Sequence, residues 1–421
     1  MVMSMGLFTI SWCCVASGYI VAVGLFKLVV RDACSRDWGM FQLLFATLGL
    51  AQLASTMSGF EEIMNRSMLD IYYGIIATLA VATVIRCYMK FVRGPAPKSV
   101  DMREKVVIVT GSNTGVGYET AKSLVQMGAH VIMACRSEEK AKSAIDQITR
   151  ELEVVAGAIR NNTAPAVRGK MTFMKLDLAS LESVRAFVAE FKTSKLGLDS
   201  LVLNAGVMHS HRQLTSDGVE ANLAVNYLGN FLLTTQLLPI LKESKDARVV
   251  CVNSSLHRVP KAFRFEDPMF DKDYGMFKAY ANSKLALLMF AEELQHRLDN
   301  EKSKVIVNSA NPGIVMTDIS RNMSFFMRFG NSICKPVFHL FFKQPRAGAF
   351  TWRVSAYVLV YATTTSKLRE SQEPGAPGVG GLYMMDSEPA PFNPAANDIK
   401  SRKTLWKLSE ELVSAGSKKK R

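Results

Sequence analysis

Thr110-Gly111-Ser112-Asn113-Thr114-Gly115-Val116-Gly117 follows the apolar run Val106 to Val109 and opens a stretch with helical periodicity. The order is strand, glycine turn, helix N-terminus. Glycines let backbone N–H groups approach a pyrophosphate, and the first turn of a helix favours its negative charge. Farther along lies Tyr280-Ala281-Asn282-Ser283-Lys284, a spacing that sets Tyr280 and Lys284 one turn apart on one helix face. The two motifs together imply a chain that binds a dinucleotide and moves a hydride.

Outward from the glycine turn, strand and helix signals alternate. Lys105–Thr110, His130–Ala134, Thr172–Leu176, Ser200–Leu203, Arg248–Val252 and Lys304–Asn308 read as strands. Gly117–Gly128, Glu138–Ala156, Ser180–Phe191, Tyr227–Glu243 and Phe277–Asn300 read as amphipathic helices between them. Alternation of this kind predicts an α/β fold, a Rossmann-type doubly wound parallel sheet with right-handed crossovers. Ligands of such a sheet bind outside the carboxyl ends of its strands, and the motifs fall at those ends.

The first 90 residues read differently. Residues 1–26 carry no charged side chain, Trp38 to Phe60 is a second uncharged run, and Ile71 to Ile85 is a third that reaches Met89 if Arg86 snorkels. A span needs about 20 apolar residues, so two or three transmembrane helices are expected. Arg86, Lys90, Arg93, Lys98, Arg103 and Lys105 follow the third run and put the downstream domain on the cytosolic side. The first stretch lacks a basic n-region and does not read as a cleaved signal. Gly94-Pro95-Ala96-Pro97 makes a linker. The division is then a membrane anchor at 1–95, a catalytic domain at 102–415 and a basic tail at 416–421.

Thr110-Gly-x-x-x-Gly-x-Gly117, Leu203-Asn204-Ala205-Gly206, Ser254, Tyr280-x-x-x-Lys284 and Pro312-Gly313, in that order, resemble the short-chain dehydrogenase/reductases. Gly111–Ala121, Lys175–Ser180, Val225–Thr234 and Leu405–Glu410 are most similar to the retinol dehydrogenase and WW-domain oxidoreductase branch. A membrane-anchored relative acting on polyprenols also compares well. The resemblance covers residues 102–320 and runs on more weakly to about 415. It implies cofactor contacts from Gly111, Asn113, Thr114, Gly115, Val116 and Gly117, and from Asn204, Ala205 and Gly206 beneath the cofactor. Asp177 and Leu178 would meet the adenine, and Pro312, Gly313 and Thr317 would also contact the cofactor.

Arg136 closes the second strand after Cys135, where no Asp or Glu stands. An acidic residue there would take the ribose 2′-hydroxyl of NAD, whereas Arg suits the 2′-phosphate of NADP. The expected cofactor is NADP(H); the plainer reading of Arg136 is a solvated charge.

Carbonyl reduction needs a hydride and a proton for the developing alkoxide. Tyr280 is the expected proton donor. A free phenol titrates at about 10, and the charges of Lys284 and of the nicotinamide ring would together lower that value. Lys284 would also hold the nicotinamide ribose, Ser254 the substrate oxygen, and Asn226 a water linking Lys284 to solvent. Val252-Asn253-Ser254-Ser255-Leu256-His257 offers two adjacent serines; alignment without a gap from Arg248 selects Ser254. Asn253 departs from the usual Ser of the family. Asn311, where His is common, is expected to act on loop packing.

The chain has 421 residues, 48% hydrophobic side chains and a formal charge of +14. No nucleic-acid motif accompanies the positive charge, so anionic lipid and a phosphorylated cofactor are the expected partners. The seven cysteines show no CxxC spacing and read as reduced thiols. His209 and His211 lack a third ligand, and no metal is expected. Phe325–Phe342 is aromatic and reads either as a membrane-interface element or as a core helix over a greasy pocket. Residues 157–170 read as a surface insertion. Lys418-Lys419-Lys420-Arg421 matches a KKxx retrieval pattern for the endoplasmic reticulum and equally a lipid-touching tail.

The expected protein is a multi-pass membrane oxidoreductase of the endoplasmic reticulum, acting on a lipophilic alcohol or carbonyl; a homodimer is compatible with it. Retinoid, steroid, polyprenoid and fatty aldehyde are all open as substrates. The rival is a cofactor-binding scaffold of the same fold with little turnover, and the presence of Ser254, Tyr280 and Lys284 together weighs against it.

Overall fold

The computed structural model describes residues 100–158, 169–313, 359–364, 381–385 and 388–418. The longer elements are β1 (Val106–Thr110), α1 (Gly115–Gln126), β2 (His130–Cys135), α2 (Glu138–Ala158), β3 (Lys170–Lys175) and α3 (Leu181–Thr193). They continue with β4 (Ser200–Leu203), α4 (Gly229–Glu243), β5 (Arg248–Val252), α5 (Met276–Asn300), β6 (Ile306–Asn311), β7 (Leu382–Met385), β8 (Glu388–Pro389) and α6 (Ile399–Lys418). The sheet order is β3-β2-β1-β4-β5-β6-β7-β8. All neighbours are parallel except β7 and β8. Strand order reverses between β1 and β4, which opens a crevice at their carboxyl ends.

Burial on both faces explains why β1, β2, β4 and β5 are largely apolar. Ile108, Ile132, Leu201 and Val249 enter one core with α3, α4, α5 and α6. Val107, Val131, Val202 and Val250 enter a second core with α1, α2 and the helical residues 359–364. Both faces of the sheet are therefore covered. Helix starts are built locally. Ser180 accepts a hydrogen bond from Ser183 N at 3.2 Å to cap α3, and the Asp398 carboxylate accepts from the Lys400 and Ser401 amides, each at 3.2 Å, ahead of α6.

Six strands and five helices stand where the sequence places them, with shifted ends. β3 begins at Lys170 and β6 runs on to Asn311. β7, β8 and α6 carry no strand or helix reading in the sequence analysis. α6 is continuous to Lys418, so part of the expected basic tail is helical. Among the described residues, no helix is long and apolar enough to cross a membrane. The three N-terminal apolar runs, Phe325–Phe342, most of the 157–170 insertion and Thr317 lie outside the described residues. Cys135 and Cys251 are free and buried, and the other five cysteines also lie outside.

Helix α6 docks through Trp406, whose ring centroid lies 5.0 Å from that of Phe231 and 5.8 Å from that of Phe290. The Arg297 guanidinium sits 4.0 Å over the same ring. Replacing a large buried aromatic with alanine leaves a cavity. Trp406→Ala should cost about 3–5 kcal/mol, read as a lower denaturant midpoint of the full chain in detergent; an unchanged midpoint would mean that α6 does not dock.

Candidate active site

The glycine turn is a cradle shaped by backbone needs. Gly111 and Gly115 have φ of +64° and +61°, values that L side chains rarely adopt. A Cβ on Gly117 would lie 2.6 Å from Gly111 O and would also collide with Asn204 Nδ2. Helix α1 thus packs against the turn with nothing between them. The turn is tied to the end of β4 by Thr110. Its Oγ accepts from the Asn204 and Ala205 amides, each at 2.9 Å, and Asn204 Nδ2 donates back to Thr110 O at 2.8 Å. Gly111, Asn204, Ala205 and Gly206 are brought together in the crevice between β1 and β4. A cradle that tolerates no Cβ at the head of a twelve-residue helix fits a pyrophosphate.

To one side, Arg136 projects exposed from the carboxyl end of β2, with Asn113 partly exposed in the turn below. Ser112 is buried and its Oγ lies 3.5 Å from Cys135 Sγ. No acidic side chain occupies the end of β2. Asp177, beyond β3, accepts from the Ala179 amide at 3.0 Å, while its own amide donates to Ser183 Oγ at 3.0 Å. Leu178 is buried beside it.

On the other side lie the groups of the Tyr-Lys motif. Asn226 sits in a π-helical turn, Ala224–Leu228, just ahead of α4; such turns open a helix and recur at functional sites. Asn226 is wholly buried. Its Nδ2 donates to Val207 O and to Ser283 Oγ, both at 2.9 Å, and its Oδ1 accepts from Val207 N at 2.8 Å.

Lys284 Nζ donates to Val252 O at 2.8 Å and lies 5.8 Å from the centre of the Tyr280 ring. It also faces Gly206, where an added Cβ would be 3.6 Å from the amine. Burial draws the Lys284 amine down to about 8 and pushes the Tyr280 phenol up to about 12, against a hydrogen bond from Ser254 that works the other way.

The two serines part company here. Ser254 bonds Tyr280 and accepts from the Leu256 amide at 3.3 Å. Ser255 is exposed, and its Oγ accepts from Asn311 Nδ2 at 2.8 Å. Asn311 Oδ1 meanwhile accepts from Gly313 N at 3.0 Å, and Gly313 takes a φ of +79° after Pro312. Asn253, in place of the usual Ser, accepts from the Ser254 amide at 2.9 Å.

Two supporting groups escaped the sequence reading. Thr110 and Ser283 stand inside the quoted motifs, but nothing local marks their tertiary bonds. His257 Nδ1 lies 2.5 Å from Ser254 O; a carbonyl only accepts, so Nδ1 carries the proton. The His257 ring packs 4.7 Å from Tyr383 of β7. His209 contributes only backbone bonds, to Asn222 and Tyr274, and His211 bonds Ser210 and Gln213.

A family model described as short chain dehydrogenase matches residues 105–325. Retinol dehydrogenase 14 from Mus musculus is 38% identical over 316 residues, which cover 74% of this chain and 86% of that protein. Polyprenol dehydrogenase from Homo sapiens is 35% identical over 352 residues, 83% of this chain and 96% of that protein. The solved structure of an uncharacterised protein from Mycobacterium paratuberculosis superposes with a TM-score of 0.55 at 28% identity, covering 76% of this chain and 98% of that one. The chain therefore belongs to the short-chain dehydrogenase/reductase family, nicotinamide-dependent oxidoreductases, and is related within it to the retinol and polyprenol dehydrogenases.

Proposed function

We propose that this protein is a membrane-anchored, NADP(H)-dependent oxidoreductase that interconverts an alcohol and a carbonyl on a lipophilic substrate. The observation that carries the reaction type is the convergence of Ser254, Tyr280 and Lys284: a serine hydroxyl bonded to the phenol and a buried amine beside its ring. A bound nicotinamide supplies or accepts the hydride. Ser254 holds the substrate oxygen. Tyr280 gives its phenolic proton to that oxygen in reduction and takes it back in oxidation. Lys284, when charged, favours the phenolate that Tyr280 becomes, and Asn226 holds the end of β4 against the amine. Gly111, Asn113, Thr114, Gly115, Val116, Gly117, Asp177, Leu178, Asn204, Ala205, Gly206, Pro312, Gly313 and Thr317 are the proposed cofactor contacts.

The lipophilic substrate rests on two relatives whose names specify retinol and polyprenol. The choice of NADP(H) rests on Arg136 at the end of β2 without an acidic neighbour there. The anchor rests on the uncharged runs before residue 90 and the basic residues after them. A screen of retinoid, steroid, polyprenoid and fatty alcohols and aldehydes with both coenzymes, on the full chain in detergent, tests the reading; no turnover with any of them would overturn it.

Tyr280→Phe should cut turnover below a tenth of wild type while cofactor binding persists, because general acid catalysis contributes about 10²-fold or more. Parallel rate and cofactor titrations check this, and a rate above that mark removes Tyr280 from the role.

Arg136→Asp should weaken NADPH far more than NADH, since it replaces a partner of the 2′-phosphate with a like charge. Equal proportional changes in kcat/KM for both coenzymes would mean that Arg136 does not read the phosphate.

The anchored chain should stay in the pellet on carbonate extraction, and protease added outside sealed microsomes should digest the catalytic domain. Protection of that domain would reverse the topology.

A further inference from the structure

Ser283 stands one residue before Lys284 and is wholly buried. Its Oγ donates to Tyr280 O at 2.7 Å and accepts from Asn226 Nδ2 at 2.9 Å. Asn226 in turn exchanges two bonds with the backbone of Val207, the residue after Gly206. One hydroxyl thus closes a run of bonds from the turn of α5 that bears Tyr280, through the π-turn, to the end of β4. A helical serine satisfies its own proton by bonding back one turn, and that bond alone needs no partner on another element. Alanine is the better helix former at such a position. What alanine lacks is the acceptor for Asn226, and a buried amide N–H without an acceptor is costly.

We propose that Ser283 is a positioning residue: it locks the helix turn carrying Tyr280 and Lys284 to Asn226, and so fixes both against Gly206 and the end of β4. The proposal rests on the reading of Tyr280 and Lys284 as the reacting pair. Lys284 Nζ is bonded to Val252 O and lies near Gly206, where an added Cβ would be 3.6 Å from it. The first contact lies on β5. The second keeps its spacing only if α5 and the π-turn move as one body, and Ser283 gives them a hydrogen bond beside the packing of Tyr227 on Phe290. If the joint loosens, the turn carrying both groups drifts from Ser254, and the phenolate of Tyr280 loses the hydrogen bond that favours it.

The test uses the full chain in detergent with NADPH and retinaldehyde, a polyprenal or a fatty aldehyde, whichever turns over fastest, and the matching alcohol with NADP. Ser283→Ala should lower kcat about tenfold, because small misplacements of reacting groups are costly in rate. KM for NADPH should stay near the wild-type value. The pH midpoint of alcohol oxidation should move upward. Ser283→Thr, which keeps the hydroxyl, should restore both. The double variant Asn226→Ala/Ser283→Ala should lose no more than Asn226→Ala alone, since the two groups act through one bond.

A wild-type midpoint in Ser283→Ala, losses that multiply in the double variant, or a fall in melting temperature with kcat per folded molecule unchanged would each overturn the proposal. Amide exchange at Val207 needs no turnover: it should speed up in Ser283→Ala, and unchanged protection there also overturns it. If instead Tyr280→Phe keeps full turnover, the reacting-pair reading fails, while the exchange at Val207 still reports whether Ser283 holds Asn226.

Discussion

The hydroxyl of Thr110 accepts from two consecutive amides of β4's end, Asn204 and Ala205. Those N–H groups lie past the strand ladder, where β1 and β4 part to open the crevice. The Asn204 amide also reaches Val202 O at 3.1 Å, but without the Thr110 hydroxyl the Ala205 amide would be a partly buried donor short of its acceptor, a costly state. With it, the glycine turn on β1 and the Asn204-Ala205-Gly206 segment on β4 become one rigid floor. Every other part of the site is referenced to that floor. Helix α1 closes on it through Gly117, the π-turn reaches it through Val207, and Lys284 faces it at Gly206.

Some of this arrangement is legible in the chain and some is not, for physical reasons. The glycine turn and the Tyr280–Lys284 pair are local: φ above zero demands Gly111 and Gly115, and a four-residue spacing defines a helix face. β6 is harder, because its apolar run stops at Asn308 while the strand continues to Asn311. Buried polarity there is matched only in three dimensions, Asn308 Oδ1 by the Leu382 amide at 3.1 Å and Asn311 Nδ2 by Ser255. β7 is four residues long and pairs with a strand far away in sequence, so nothing around it in the chain marks it as sheet. The choice between Ser254 and Ser255 has the same character. Side by side they are equivalent; only the fold gives one of them Tyr280 of α5 and the other Asn311 of β6.

The C-terminal elements that the sequence pattern hides are those that brace Ser254. Tyr383 of β7 packs on the His257 ring, and His257 holds the carbonyl of Ser254. Asn393 Nδ2 donates to His257 O at 2.8 Å and to Pro260 O at 2.7 Å, which fixes the segment on its other side. α6 then covers Phe231 and Phe290 through Trp406, so the helix that carries Tyr280 is clamped from behind. The serine loop therefore depends on a part of the chain more than 120 residues downstream in sequence, beyond the region 105–325 where the family model matches. A protein cut after that region would keep the glycine turn and the Tyr-Lys helix but would lose the support of Ser254.

Burial acts on the reacting pair in a direction that suits the proposed chemistry. It raises the phenol of Tyr280 to about 12 and lowers the amine of Lys284 to about 8; both shifts favour the neutral forms. At neutral pH the phenol therefore keeps its proton, which is the state a donor to an alkoxide must be in. The amine stays largely protonated below about 8, so its charge is at hand when the phenolate forms. The opposite direction asks more of the site, because the phenolate must then exist before the alcohol gives up its proton. Two influences work toward it: the hydrogen bond from Ser254, which already opposes the rise, and the charge of Lys284. The first acts only while α5 is held against the Ser254 loop, and the second only while the amine stays protonated. Alcohol oxidation should therefore be more sensitive than carbonyl reduction to anything that moves α5 relative to β4 and β5, since reduction begins from the protonation state that burial alone provides.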